Sequence, residues 1–153
     1  KLTGLWFNGQ KYFGSTLLGE PSKQDLPVFR KTREWLDLYF QGIPPAFTPE
    51  ICLLGSPFRQ KVWEVLRQIP YGETMTYGQI AALLFPESEH KSIYARAVGG
   101  AVAHNPISII IPCHRVTGTG GRLTGYAGGV ERKSRLLHLE QLGLQKCAAA
   151  EGP

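Results

Sequence analysis

The chain has 153 residues, of which 42% are hydrophobic, and a formal net charge of +5 at pH 7. A chain of this length can bury roughly 70% of its unfolded surface without disulfide or metal staples, and no apolar run approaches the ~18 residues of a membrane-spanning helix. The composition therefore predicts a compact soluble protein and argues against a helical membrane protein.

The first 49 residues predict a small module made of a β-hairpin, a helix and a linker. Residues 2–18 alternate in polarity around Asn8-Gly9, a strong hairpin turn signal. A helix should begin at Pro27 and end at Gly42. Residues 42–49 then predict a linker to a second domain that spans residues 50–153. The apolar residues that recur at helical spacing are Val28, Trp35, Leu36 and Tyr39.

Three further helices are predicted at the start of the second domain. Ser56-Pro57 is an N-cap followed by proline at the first helical position, and the apolar pattern ends at Pro70. Thr76 and Gln79 form a possible capping box for a short helix, and another helix should begin near Ser92. These last two helices fit a helix-turn-helix, although two amphipathic helices more often form ordinary core.

Two elements are predicted after residue 107. Residues 108–111 are mostly β-branched and predict a core strand that ends abruptly at Pro112. Residues 118–129 contain six glycines, which is typical of a loop that a ligand approaches closely. A last helix should run from Val130 to Leu142, with Gly143 as its stop.

Positive charge is concentrated between residues 91 and 135. This segment carries seven Lys or Arg side chains and one acidic residue, Glu131, which gives a net charge of +6. Such a cluster attracts polyanions, with phosphate backbones as the first candidate, although a solvated basic face without a partner is the alternative. The basic residues are Lys91, Arg96, Arg115, Arg122, Arg132, Lys133 and Arg135.

The three cysteines, Cys52, Cys113 and Cys147, lack Cys-x-x-Cys spacing and cannot all pair. Neither a disulfide framework nor a zinc cage is indicated, so we expect a cytoplasmic protein in a reducing environment. Cys52 lies among apolar residues and is expected to be a core thiol. Cys147 lies in a small-residue tail where no role is expected.

Cys113 is the candidate nucleophile, because it stands beside His114 where the predicted strand ends. A thiol of ordinary pKa is only slightly ionised at neutral pH and needs a base. Contact between adjacent side chains requires a turn after Pro112 or a bridging water. Glu140 is our candidate for orienting the imidazole, with an exposed helix charge as the alternative.

The motif Pro112-Cys113-His114-Arg115-Val116 resembles the signature of the O6-alkylguanine-DNA alkyltransferases. Asn105-Pro106 and Arg96-Ala97-Val98-Gly99-Gly100-Ala101 precede it, as in that family. The resemblance runs from about Gly55 to Gly143. It includes Tyr71-Gly72-Glu73, Thr76-Tyr77 and Gly125-Tyr126-Ala127-Gly128-Gly129.

The resemblance implies an α+β fold and a one-use reaction. The second domain would be mostly helical and winged helix-turn-helix-like and would carry the active-site cysteine, and the N-terminal module would be a shortened RNase H-like module. Cys113 would irreversibly accept the alkyl group from O6 of guanine, and from O4 of thymine, in alkylated double-stranded DNA. The resemblance implies no cofactor, no metal and no membrane partner, action as a monomer, and nucleoid association in a bacterium.

Individual roles follow from the same resemblance. His114 and Glu140 would activate the thiol through water, and Asn105 would hold the turn that presents it. Tyr77 would donate a hydrogen bond to the leaving guanine, and Arg96 would fill the gap left by the extruded base. The remaining expected DNA or pocket contacts are Tyr94, Ala95, Arg115, Tyr126 and Lys133.

The chain departs from the family pattern at two positions, and three other functions are open. Ala127 stands where some relatives have a serine, and residues 85–94 form a longer link than we expect. A lesion-binding protein without activity is disfavoured by Cys113, because such relatives usually have tryptophan there. A Cys-His-Glu hydrolase and a helix-turn-helix transcription factor with an inert thiol are the other candidates.

Overall fold

A computed structural model describes residues 1–152 and shows a mixed fold dominated by helices. The two strands, β1 (Met75–Thr76) and β2 (Val116–Thr117), pair in parallel, with Met75 opposite Val116. Short 3-10 turns cover Cys113–Arg115 and Thr119–Gly121. The helices are α1 (Pro27–Phe40), α2 (Pro57–Arg67), α3 (Tyr77–Leu84), α4 (Lys91–Ala103) and α5 (Val130–Ala150). Within the described residues, none of the helices is long and apolar enough to cross a membrane.

The predicted caps of α2 and α3 are confirmed. The Ser56 hydroxyl accepts a hydrogen bond from the Arg59 amide at 3.3 Å. The Thr76 hydroxyl accepts from the Gln79 amide at 3.1 Å, and the Gln79 side chain accepts from the Thr76 amide at 2.8 Å. Each cap satisfies amides that have no partner within their own helix, so these helices begin where the sequence indicates.

Helices α2, α3 and α4 form a packed platform beneath the predicted reactive segment. Their fully buried side chains each contribute roughly 1.5–3 kcal/mol through removal of apolar surface from water. Trp63 of α2 also donates its indole N–H to the Ala101 carbonyl of α4 at 2.9 Å. The platform fixes the end of α4, from which the chain turns toward Cys113. The buried side chains include Val62, Leu66, Ile80 and Val98.

The predicted hairpin over residues 2–18 is wrong. Leu2 forms a parallel bridge with Ile51, and Leu5 forms one with Ile107. The backbone of Leu5 donates to Pro106 and accepts from Ser108, both at 2.8 Å. Asn8-Gly9 still turns the chain, but the alternating segment before it pairs with distant residues. The N-terminal segment therefore lies against the loop that leads to Cys113.

The predicted strand over residues 108–111 is also wrong, because this buried stretch is a series of turns. Asn105 holds it: its side-chain amide donates to the Ile111 carbonyl at 2.8 Å, and its side-chain oxygen accepts from the Ile107 amide at 2.9 Å. Ile109 has a φ of 70°, which is rare for a β-branched residue. Apolar β-branched composition indicated burial correctly but misassigned the backbone.

Helix α5 does not stop at Gly143, as was predicted, but continues to Ala150. Gly143 is buried where α5 crosses the Gly42 turn after α1. A Cβ atom at position 143 would lie 2.4 Å from the Gly42 carbonyl oxygen and 2.5 Å from the Tyr71 hydroxyl. Close approach of two backbones, and not helix termination, explains this glycine.

We predict that Gly143→Ala lowers the free energy of unfolding by about 1–3 kcal/mol, because the added methyl group must push two packed backbones apart. Gly100→Ala is the matched control, since a Cβ there meets nothing within 4 Å. It should raise stability by about 0.5–1 kcal/mol through helix propensity. Denaturant unfolding of both variants tests this, and equal effects would contradict the packing role of Gly143.

Candidate active site

Cys113 lies at the start of a 3-10 turn, with only 3% of its surface exposed. The side-chain amide of Asn105 donates to its sulfur at 3.1 Å as well as to the Ile111 carbonyl. One buried amide thus shapes the preceding loop and contacts the sulfur. This places Asn105 beside Cys113, where the family resemblance implied that it holds the turn.

Burial raises the pKa of the Cys113 thiol above its ordinary value, and this effect outweighs the opposing contributions of Asn105 and Lys133. The resting sulfur is therefore a protonated thiol at neutral pH. A reaction that uses it as a nucleophile needs a base that takes the proton as the new bond forms.

His114 is the titratable side chain that follows Cys113, and it is completely buried. Its Nε2 lies 2.7 Å from Glu140 Oε1. Because that nitrogen faces a carboxylate, it carries the hydrogen, which leaves Nδ1 as the basic nitrogen. Within residues 1–152, Nδ1 is buried with no hydrogen-bond partner. Burial lowers the pKa of His114 despite Glu140, so the imidazole is neutral at pH 7.

Glu140 on α5 is the centre of a buried polar network and not an exposed helix charge. The Tyr39 hydroxyl donates to Oε1 at 2.8 Å, and the Gly72 amide donates to Oε2 at 3.0 Å. The Arg115 guanidinium donates to both oxygens, at 2.9 and 3.0 Å. Although burial alone would raise the pKa of Glu140, hydrogen bonds from His114 and Arg115 lower it to about 2.

Arg115 was expected to contact DNA, whereas the structure places its guanidinium inside the protein against Glu140. The side chain is buried, and its Nη1 donates to the Ile69 carbonyl at 2.7 Å while the rest of the guanidinium binds Glu140. A guanidinium committed to a buried carboxylate cannot reach a phosphate without breaking that pair. Arg115 is therefore the internal counter-charge of Glu140.

A cavity of about 150 Å³ is bordered by aromatic and small residues of several elements. Tyr77 follows β1, whose pairing with β2 brings it near Cys113, and its hydroxyl donates to the Thr124 carbonyl at 3.3 Å. The Tyr126 ring borders the same cavity. Burial raises the pKa of the Tyr126 hydroxyl, and the neighbouring Cys113 raises it further. The remaining lining includes Gly99, Val102 and Ala127.

Lys133 is fully buried and does not lie on an exposed DNA-binding face. Its ammonium donates to the carbonyl oxygens of Val116 and Thr124. Burial lowers the pKa of Lys133, while the nearby Cys113 sulfur opposes this shift. The role of Lys133 as a DNA or pocket contact stays a prediction; its ammonium shares the Thr124 carbonyl with the Tyr77 hydroxyl, which borders the cavity.

The exposed part of the basic segment is smaller than its sequence suggested. Arg96 extends from α4 into solvent, whereas Tyr94 and Ala95 before it are half-buried. The Tyr94 ring stacks on Phe85 with ring centres 4.0 Å apart, which anchors the link between α3 and α4. The basic residues that remain exposed are Lys91, Arg96, Arg122 and Arg135.

Sequence reasoning missed three contributions to the site. Tyr39 was expected only as core, yet its hydroxyl contacts Glu140 and lies 3.3 Å from His114 Nε2. Gln10 is buried and accepts a hydrogen bond from the Ser108 hydroxyl at 3.0 Å. Lys11 and Tyr12 border the cavity. No local pattern indicates the role of Gln10, because its partner Ser108 lies 98 residues away in the sequence.

Cys52 and Cys147 are half-buried, so Cys52 is less enclosed than a core thiol. In the described part of the chain, no group of three or more His, Cys, Asp or Glu side chains is placed to hold a metal ion.

Comparison with known proteins places these residues in a family context. The family model described as 6-O-methylguanine DNA methyltransferase, DNA binding domain, matches residues 57–142. A methylated-DNA–protein-cysteine methyltransferase of Mycobacterium tuberculosis (strain ATCC 25618 / H37Rv) is 47% identical over 126 residues, which cover 80% of this chain and 73% of that protein. The protein of the same name from Mycobacterium leprae is 49% identical over 144 residues, 92% of this chain and 80% of its own length.

A solved structure agrees with the sequence comparison. The crystal structure of Mycobacterium tuberculosis OGT in complex with DNA aligns with a TM-score of 0.77 and 43% identity. The alignment covers 92% of this chain and 81% of that one. The similarity therefore includes the N-terminal segment as well as the helical platform.

The buried network predicts that stability declines in acid. The pKa values of His114 and Glu140 are both lowered on folding, from ordinary values of 6.5 and 4.5. Stability should begin to decline as the pH falls below 6.5, where unfolded His114 binds a proton. It should decline further below 4.5, and the Glu140 contribution should be lost by about pH 2.

Glu140→Gln should remove the lower part of this pH dependence and cost about 3–5 kcal/mol at pH 7, because Arg115 loses its buried counter-charge. Glu131→Gln is the control, since Glu131 pairs with Arg135 only on the exposed surface. Urea unfolding between pH 3 and 8 measures both effects. A Glu140→Gln protein as stable as the Glu131→Gln protein would contradict the network.

Proposed function

Because the chain belongs to the 6-O-methylguanine DNA methyltransferase family, we propose that it repairs alkylated DNA by moving the alkyl group from O6 of guanine to Cys113. One observation carries the assignment to Cys113. This thiol is buried within the family motif, in contact with Asn105 and beside the His114–Glu140 pair. The activity is that of a methylated-DNA–protein-cysteine methyltransferase that is consumed by its own reaction.

The chemistry is a displacement at the alkyl carbon. The sulfur of Cys113 forms a bond to that carbon as the bond between the carbon and guanine O6 breaks. The thiol proton passes through water to Nδ1 of His114, and Glu140 stabilises the imidazolium that forms. The electron pair stays on the guanine, which then accepts a proton. A thioether has no easy leaving path, so each molecule reacts once.

The substrate base must leave the duplex to reach Cys113, because a base inside the helix cannot bring its O6 atom to a buried sulfur. We propose that the extruded guanine, or thymine alkylated at O4, occupies the cavity bordered by Tyr77 and Tyr126. Tyr77 would exchange its bond to Thr124 for one to the leaving base. Lys133 would add positive charge beside it, and Ala127 offers no side-chain donor.

Helices α3 and α4 are proposed as a helix-turn-helix that docks on double-stranded DNA as a monomer, in a winged arrangement. Arg96 would enter the duplex where the base has left, with Tyr94 and Ala95 against the groove. The exposed basic residues of the segment supply the phosphate contacts. Residues 1–49 and 50–153 are proposed as two modules, the first a shortened RNase H-like one.

The remaining alternatives lack comparable support. A Cys-His-Glu hydrolase would need a covalent intermediate that water can cleave, whereas the relatives are named as methyltransferases. A transcription factor would leave the buried network beside Cys113 without a use. A lesion-binding protein would have no need of a thiol at this position.

We predict that incubation with an oligonucleotide containing O6-methylguanine adds one methyl group to Cys113 and no more, because the acceptor is used up. Peptide mass spectrometry locates the modification. Cys113→Ser should bind the oligonucleotide without being modified, and Cys147→Ser, which changes a cysteine outside the site, should react like the parent. Unmodified Cys113 despite intact DNA binding would refute the proposal, as would continued turnover.

We also predict that Arg96→Ala slows methyl transfer from duplex DNA by roughly tenfold or more but changes transfer from single strands little, because only a duplex has a gap to fill. Arg122→Ala, which removes an exposed charge from the glycine-rich loop, is the charge-matched control. Rapid-quench measurements on both substrates give the rates. Equal losses on duplex and single strand would contradict the role of Arg96.

A further inference from the structure

The N-terminal segment reaches the cavity through two consecutive residues. The Lys11 amide donates to the Ala127 carbonyl at 3.1 Å, which joins the segment to the glycine-rich loop. Lys11 and Tyr12 border the same cavity as Tyr77 and Tyr126. The cavity therefore has walls from four separate parts of the chain: the N-terminal segment, α3, α4 and the glycine-rich loop. The N-terminal segment lies outside the region that the family model matches.

Tyr12 is held at this position by specific contacts and by an unusual backbone. Its ring stacks on the ring of His104 with centres 4.0 Å apart and planes 24° from parallel. The His104 ring is itself fixed to α4, because its Nδ1 lies 2.7 Å from the Gly100 carbonyl oxygen. Tyr12 has a φ of 59°, in the left-handed region that tyrosine seldom adopts. Such conformations concentrate at functional sites, where surrounding structure maintains them.

The exposure of Tyr12 is also informative. The residue is 49% exposed although it borders a cavity lined mainly by apolar and aromatic groups. A planar base that enters the cavity would cover part of this aromatic surface. Stacking of bases on aromatic rings is a general mode of nucleobase recognition and tolerates differences in base identity.

We propose that Tyr12 is a third aromatic wall of the base-binding cavity and contacts the extruded base during transfer to Cys113. This inference rests on the proposed function and extends it to the N-terminal segment. Tyr12 would contribute to recognition of the base itself and not to DNA docking. Its loss should therefore affect every substrate that places a base in the cavity, whether duplex or single-stranded.

Tyr12→Asn is the most informative variant, because asparagine tolerates the left-handed backbone while it removes the ring. It should slow methyl transfer to Cys113 roughly tenfold, within the range that the loss of one base–aromatic stack produces. The loss should be similar with duplex and with single-stranded oligonucleotides that contain O6-methylguanine. Tyr12→Phe keeps the ring and should react at nearly the parent rate.

Phe13→Ala is the matched control, because Phe13 is an exposed neighbouring aromatic residue that packs on Trp6, with ring centres 5.6 Å apart. It should leave the transfer rate unchanged. Alkylation of Cys113 by iodoacetamide, followed by peptide mass, should be equal in the parent and Tyr12→Asn, which shows that the thiol environment is intact.

The possible outcomes separate the two proposals. Parent-like transfer by Tyr12→Asn, or a loss confined to duplex DNA, would overturn the role of Tyr12 while leaving the proposed function intact. An equal loss in Phe13→Ala would also overturn it, since it would indicate a general effect on the segment. Absence of methyl transfer in the parent protein itself would refute the proposed function and, with it, this inference.

Discussion

The ionised carboxylate of Glu140, completely removed from solvent, is the constraint on which the site depends. A buried charge is tolerated only when it is paired and its oxygens are hydrogen-bonded. Glu140 meets this requirement with contacts from the end of α1, the turn after α2 and the segment that follows Cys113. The same contacts fix the imidazole of His114 and retain Arg115 inside the protein. The hydrogen bonds that stabilise the Glu140 charge thus bring distant parts of the chain together around Cys113.

The position of Cys113 also depends on the loop of residues 105–112, in which Ile109 adopts an unfavourable left-handed conformation. Asn105 supplies two hydrogen bonds within this loop and a third contact to the sulfur. Ile109 accepts a left-handed conformation because its buried side chain is packed in the core. The N-terminal segment supports the loop from the other side through Leu5 and through the Gln10–Ser108 hydrogen bond. The loop is therefore stabilised by contacts that are far apart in sequence.

Features set by local contacts could be predicted from the sequence, whereas features set by distant contacts could not. The starts of α2 and α3 were predictable because Ser56 and Thr76 each accept a hydrogen bond from an amide three residues away. The segments at residues 2–18 and 108–111 were not, since their backbone partners lie elsewhere in the chain and override local β-propensity. Gly143 resembled a helix stop because the Gly42 backbone that requires it cannot be inferred from pattern. Arg115 and Lys133 were counted in the basic segment of residues 91–135, but both are buried, and a charge count cannot distinguish buried from exposed groups.

Burial keeps the His114 imidazole neutral, and Glu140 fixes its hydrogen on Nε2, which leaves a basic Nδ1 available to the Cys113 thiol. Nitrogen NMR of protein labelled at histidine reports the tautomer directly, and His114→Gln identifies the signal. We expect a neutral His114 ring at pH 7, protonated at Nε2 and unprotonated at Nδ1. An Nδ1-protonated tautomer, or an imidazolium at that pH, would contradict it.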